Sequence, residues 1–196
     1  TKNDGDPAES LSTLWYHDHA MDHTAENVYA GLVGFHLLFD EVDSGNEKDP
    51  NPKSLRLPSD EFDIPLLIQD KRFDASGQLV LPDPTFDDCK NSKCFRLGIL
   101  GDRFVVNGKI QPRHEVSRRK YRFRLLNAGP SRFYQLFLTK NDQDQAFVQI
   151  GNDESLLEAP LDVPADKGIL ISVSERVDII IDFSKFDLND KVFLVN

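Results

Sequence analysis

Two histidines one residue apart carry the clearest chemical signal in this sequence, within Trp15-Tyr16-His17-Asp18-His19. In an extended strand, side chains two apart leave the same face. The imidazoles of His17 and His19 are therefore expected to project in parallel, a few ångströms apart. Imidazole suits copper, zinc, iron or nickel. A parallel pair could share one metal ion, or each ring could hold one ion of a close pair. His23 extends the pattern to His-x-His-x3-His, which could form a three-histidine mononuclear site. A cupin arrangement would need a Glu nearer to the pair than Glu26 stands.

The other two histidines read differently. His36 falls in the apolar stretch Gly31 to Phe39 and is expected to be a hydrogen-bonded, structural residue. His114 lies near a turn and reads as surface. There is no Gly-x-Ser-x-Gly elbow, no glycine-rich phosphate loop and no Cys-x-x-Cys, which leaves the usual nucleophilic and nucleotide-binding chemistries without residues. Most Asp and Glu fall in turns, where a carboxylate is usually just solvated.

Composition bounds the partners. The chain has 196 residues, a net charge of -10 and 14 Phe among 39% hydrophobic residues, enough to bury a sizeable core. The acidic balance argues against nucleic acid, whose phosphates need clustered Lys and Arg. No apolar run approaches the roughly 18 residues of a membrane helix, so no membrane partner is expected. One basic run, Arg118-Arg119-Lys120 with Arg122 and Arg124, reads as a solvated strand face. Cys89 and Cys94 enclose a loop short enough for a disulfide in a turn, which would fit an oxidising compartment.

The elements that must position the pair are strands. Tyr121, Phe123 and Leu125 alternate with Arg122, Arg124 and Leu126, as expected of a strand with one buried face. Tyr134, Leu136 and Leu138 follow the same rule, as do Ile169, Ile171 and Val173. Asn107-Gly108 between apolar segments is a hairpin signal, and Asn127-Ala128-Gly129-Pro130 is a turn. Further strands fit Asp63 to Phe73, with Pro65 near its start, Ile179 to Phe183, and Lys191 to Val195. Only Thr24 to Tyr29 resembles helix, ended by Gly31. Many short strands with regular turns imply a β-sandwich or barrel.

Glu41 to Glu61 is polar, holds Pro50, Pro52 and Pro58, and lacks an apolar period. It reads as an interdomain linker. Residues 1–40 are then the tail of one domain and residues 62–196 a second sandwich. Both ends of the sequence read as the interior of a longer polypeptide.

Several stretches resemble the multicopper oxidases, and most closely their bilirubin oxidase and bacterial spore-coat laccase branch. These are Trp15-Tyr16-His17-Asp18-His19-Ala20 with Thr24 and Asn27 to Gly34; Ile64 to Phe73; Gly101-Asp102; Val106 to Lys109; Tyr121 to Ala128; and Ser174 to Asp178 with Asp182-Phe183. The match runs from about residue 13 to residue 186, in order. The resemblance implies an all-β fold of cupredoxin-like Greek-key sandwiches, three in the whole protein. It implies that four His-x-His-type motifs, from the first and third domains, hold a three-copper cluster. His17 and His19 match the second motif, each binding a different copper of the type 3 pair. Trp15 and Tyr16 would be packing residues, Asp18 would point away, and the second domain would bind no copper.

The implied activity is one-electron oxidation of a small reducing substrate (a phenol, a tetrapyrrole or a metal ion) coupled to four-electron reduction of dioxygen to water. The implied partners are the first and third cupredoxin domains, and the implied location is extracellular or periplasmic. The other ligand motifs are not in this sequence. The segment alone is therefore expected to be inactive and to bind copper weakly, and its strand Gly31 to Phe39 to lack neighbours. Two other readings stay open: a copper-free cupredoxin scaffold, and a mononuclear module of His17, His19 and His23.

Overall fold

The computed structural model describes residues 12–81 and 98–196. Cys89 and Cys94, read as a disulfide pair, lie outside the described residues. The chain opens with strand β1 (Thr13–His17), a short helix α1 (Thr24–Ala30) and strand β2 (Val33–Leu37). Gly31 ends the helix with φ +122°, a conformation that costs glycine little. β1 and β2 pair only with each other, antiparallel, with Tyr16 opposite Gly34 and His17 opposite Val33. Among the described residues no third strand joins this ribbon.

The remaining strands make a sandwich. They are β3 (Asp63–Phe73), β4 (Leu79–Val80), β5 (Arg103–Val106), β6 (Lys109–Ile110), β7 (Lys120–Asn127), β8 (Tyr134–Lys140), β9 (Gln143–Gln145), β10 (Phe147–Asn152), β11 (Ser155–Val163), β12 (Ile169–Ile171), β13 (Arg176–Asp182) and β14 (Val192–Val195). One sheet runs β11-β10-β13-β7-β3-β5-β6, with β4 beside β3; in the other, β8 pairs with β12, β14 and β9. Within the first sheet β3 and β7 run parallel, while its other pairings are antiparallel. Tyr121, Phe123 and Leu125, with Ile179 beside them in the same sheet, share the core with Leu136, Leu138 and Ile171 of the other sheet. The expected strand Asp63 to Phe73 forms over that span. The Asn107-Gly108 hairpin forms too, with φ values of +49° and +78° that only such turn residues take readily. The Asn107 side chain also accepts from Leu67 N–H at 2.8 Å and donates to the Pro65 carbonyl at 2.9 Å, so the turn holds the start of β3.

One expectation fails. Arg122 and Arg124 are not on a solvated face: both are 0% exposed. β7 is central, and every residue from Tyr121 to Asn127 is buried. Its inner face meets the core. Its outer face is covered by the start of β1 and by Asp43 of the polar segment, whose charges and hydroxyls satisfy the guanidinium groups.

The polar segment carries no strand between Leu37 and Asp63, yet it does not hang free. Asp43, Ser54 and Ser59 are buried. Glu47 binds Arg119 at 2.7 Å, and this guanidinium also sits 3.6 Å from the centre of the Phe62 ring. Asp40, Asn46, Asp49 and Asn51 each turn the backbone by accepting from N–H groups two or three residues on.

A second buried polar cluster closes one end of the core. The Asp70 carboxylate, 0% exposed, accepts from Gly101 N–H at 2.6 Å, Arg132 Nε at 3.1 Å and Tyr134 Oη at 3.0 Å. A side chain at Gly101 would collide with the backbone of Lys71, so glycine permits this approach. Burial and the neighbouring Asp70 charge hold the Tyr134 phenol far above the ordinary tyrosine range. The folded state therefore keeps this proton where the unfolded chain loses it, and the stabilisation present below about pH 10 fades as pH rises beyond it. Tyr134→Phe is expected to cost about 1.5–3 kcal/mol at neutral pH. Urea unfolding from pH 7 to pH 11 should show this gap narrowing above about pH 10; a constant gap would contradict it.

Candidate metal site

The site is built at the tip of β1. Trp15 and His17, two apart, stack with ring centroids 4.8 Å apart and planes at 29°. His17 and His19 follow at 5.8 Å and 29°, although the strand ends at His17. The near-parallel pair expected from alternation is therefore present. His17 is partly buried and His19 exposed. His17 Nδ1 lies 2.6 Å from the Asp18 carbonyl. Since a carbonyl only accepts, Nδ1 is the donor here, and in the neutral ring it is then Nε2 that carries the lone pair a metal ligand needs.

Asp18 turns its carboxylate to Ala20 N–H and Asn27 Nδ2, both at 3.0 Å. These hydrogen bonds, the Asn27 amide first, hold its pKa below the usual carboxylate value. His23 immediately precedes α1 and is exposed, 3.4 Å from Glu26. No three His, Cys, Asp or Glu among the described residues gather closely enough to hold a metal ion, so His23 does not complete a triad with the pair. His36 lies opposite Leu14 and is exposed. This does not fit its reading as a hydrogen-bonded, structural residue, because no described element covers that face of the ribbon. His114 is exposed, as expected.

What fixes the ribbon is the buried cluster around Arg122 and Arg124, which sequence reasoning missed. Arg122 binds Asp43 at 2.6 Å, Asp178 at 2.5 Å and Ser12 Oγ at 3.0 Å. Arg124 grips Asp63 at 2.7 and 2.9 Å and reaches Ser12 Oγ at 2.9 Å and Thr13 Oγ1 at 2.7 Å. Thr13 Oγ1 in turn lies 2.9 Å from Asp178. Burial works against the Arg122 charge, but Asp178, Asp43 and Asp63 outweigh it and hold its pKa above the ordinary value. The first residues of β1 are thus bonded into the outer face of the sandwich. Helix α1 is pinned separately: Gln69 Nε2 donates to the Val28 carbonyl at 2.9 Å, and buried Tyr29 accepts from Arg72 N–H at 2.7 Å. The available signal was Asp and Ser on either side of a strand whose Arg residues alternate with core residues.

The donor set fits copper: two neighbouring imidazoles, one with its metal-free nitrogen already assigned. Comparison with known proteins agrees. A laccase of Bacillus stratosphericus is 43% identical over 192 residues, 96% of this chain and 34% of its own length. The crystal structure of McoA multicopper oxidase from the hyperthermophile Aquifex aeolicus matches 94% of this chain and 37% of that one, at 37% identity and a TM-score of 0.77. The chain belongs to the multicopper oxidase family. The cupredoxin-like all-β fold expected from sequence is the fold observed. Not every relative of this multicopper oxidase chain carries an oxidase name: the cell division protein FtsP of Escherichia coli is 38% identical over 91% of the chain and 33% of its own length. The chain spans about one third of the length of the curated relatives it matches. No protein-family model matches it.

Breaking the buried cluster should be costly. Arg122→Met leaves three carboxylates to one guanidinium and is expected to lower stability by about 3–5 kcal/mol. Adding Asp178→Asn, which removes an orphaned charge, should recover part of the loss. Urea midpoints of the three proteins measure both effects, and a loss under about 1 kcal/mol for Arg122→Met would mean that the cluster is not the anchor.

Proposed function

We propose that His17 and His19 are copper ligands of an oxidase, each binding one copper of the type 3 pair in a three-copper cluster. The observation that carries this is the stacked imidazole pair with the His17 proton held on Nδ1, in a chain 43% identical to a laccase. Bound copper would supply the one-electron redox chemistry that lets a four-electron reduction of dioxygen to water draw on single-electron donors. The residues of this chain do the positioning. Trp15 stacks against His17, the Asp18 carbonyl accepts a hydrogen bond from its ring, and the Arg122–Arg124 cluster seats the strand. The reducing substrate is a small molecule or ion: a phenol, a tetrapyrrole or a metal ion.

In this reading residues 1–40 belong to a first cupredoxin domain, 41–61 link it to a second, and residues 62–196 form that second domain without copper of its own. First and third cupredoxin domains supply the missing ligands, and the protein works outside the cytosol. No helix among the described residues is long and apolar enough to cross a membrane. That no third strand joins the ribbon among the described residues supports the division, because a two-stranded sheet is marginal alone.

A second reading, a copper-free cupredoxin scaffold, is favoured by the likeness to a cell division protein. It leaves the retained histidine pair without a role. A mononuclear module using His23 is disfavoured, since that ring pairs with Glu26.

Copper content decides among the three. The 196-residue chain alone should bind copper weakly and show neither blue absorbance nor oxidase turnover. In a polypeptide of the relatives' length, copper should load stoichiometrically. His17→Ala or His19→Ala should then lower type 3 copper content and turnover by at least about tenfold, while His23→Ala changes neither. Stoichiometric blue copper and turnover from residues 1–196 alone would refute the proposal. A copper-free long polypeptide would favour the scaffold.

A further inference from the structure

Asp18, the residue between the two histidines, engages three separate parts of the structure. Its N–H donates to the Leu32 carbonyl at 3.0 Å, just ahead of β2. Its carboxylate accepts from Ala20 N–H and from the side-chain amide of Asn27. Its own carbonyl accepts a hydrogen bond from the His17 ring at 2.6 Å. Asn27 is equally constrained. Its N–H donates to the His23 carbonyl at 3.0 Å, and its carbonyl accepts from Gly31 N–H at 3.0 Å and Leu32 N–H at 2.9 Å. The Asn27 amide therefore connects a rigid helical turn, docked on the sandwich through Val28 and Tyr29, to the peptide joining the two histidines.

We propose that Asp18 and Asn27 are positioning residues for metal ligation: their side-chain hydrogen bond holds the 18–19 peptide so that its carbonyl accepts a hydrogen bond from His17 Nδ1–H. This rests on the reading of His17 and His19 as ligands. The physical reasoning is short. Which imidazole nitrogen stays free is set by the hydrogen bond the other makes. A carbonyl sets it only while its peptide plane is held. Among the described residues the strand register ends at His17 and Val33, and the one further backbone bond there, from Asp18 N–H to the Leu32 carbonyl, belongs to the preceding peptide and leaves the 18–19 plane unheld. The Asp18 carboxylate, anchored on Asn27 and Ala20, holds it instead. Without the anchor the peptide can turn, and the ring distributes its proton over both nitrogens. Neither residue touches a metal in this scheme.

Ring 15N chemical shifts of the copper-free 196-residue chain, at a pH well above the histidine range, test this directly. Wild type should show His17 as the Nδ1–H tautomer. Asn27→Ala and Asp18→Ala should shift it to a mixture of both tautomers. Asp18→Asn keeps a carbonyl oxygen for the same two donors and should retain the wild-type pattern, which a role for the charge alone would not predict. If Asn27→Ala fails to fold, Asn27→Asp keeps a polar helix residue but sets carboxylate against carboxylate, and should also give the mixture. In a polypeptide of the relatives' length, Asn27→Ala should weaken copper affinity about 10–100-fold, and Asp18→Asn far less. A His17 ring that stays Nδ1-protonated in a folded Asn27→Ala or Asn27→Asp chain overturns the proposal. Unchanged copper content in His17→Ala would instead overturn the ligand assignment, and with it the metal-ligation half of this inference.

Discussion

A guanidinium taken wholly out of water must find carboxylates in the right places, or the fold does not form around it. Arg122 and Arg124 impose that requirement twice, side by side on the central strand. Their partners come from four parts of the chain: Ser12 and Thr13 ahead of and within β1, Asp43 in the polar segment, Asp63 at the start of β3, and Asp178 in β13. Apolar contacts would tolerate sliding by a fraction of an ångström. Forked donors meeting paired oxygens specify direction as well as distance. The cluster thus determines where the ribbon sits on the sandwich.

The sandwich itself was legible because alternation is a strong signal wherever one face meets a core. β3 and the Asn107-Gly108 turn follow from it directly, as does the pattern of β7 and β8. The outer face of β7 was not legible. Arg at every second position looks the same whether it faces water or a ring of buried carboxylates, and local sequence contains only one side of the pairing. Asp43 and Asp178 lie 79 and 56 residues from Arg122. For the same reason the polar segment read as a tether. Its composition is that of a solvated loop, and only the distant guanidinium groups make Asp43 a buried residue.

The histidine pair was legible through spacing, since i and i+2 share a face whatever surrounds them. His36 shows the limit of that rule. A hydrogen-bonded, structural role was expected from the apolar character of its neighbours, but such a role depends on what covers a face, and no described element covers this one. The role of Asp18 was half visible. That it points away from the pair follows from alternation. That its carboxylate meets Asn27, nine residues on, depends on how the helix folds back.

The ribbon can also be considered as a lever. From Thr13, bonded into the buried cluster, to His17 at the tip is four residues, or about 13 Å of strand. A tilt of about 5° at the base would carry the imidazole roughly 1 Å, about twice the tolerance of roughly 0.5 Å for a working metal site. A single anchor at the base, however strong, cannot hold the tip that closely. A lever of this length needs a brace at its far end, and helix α1 stands where such a brace must be.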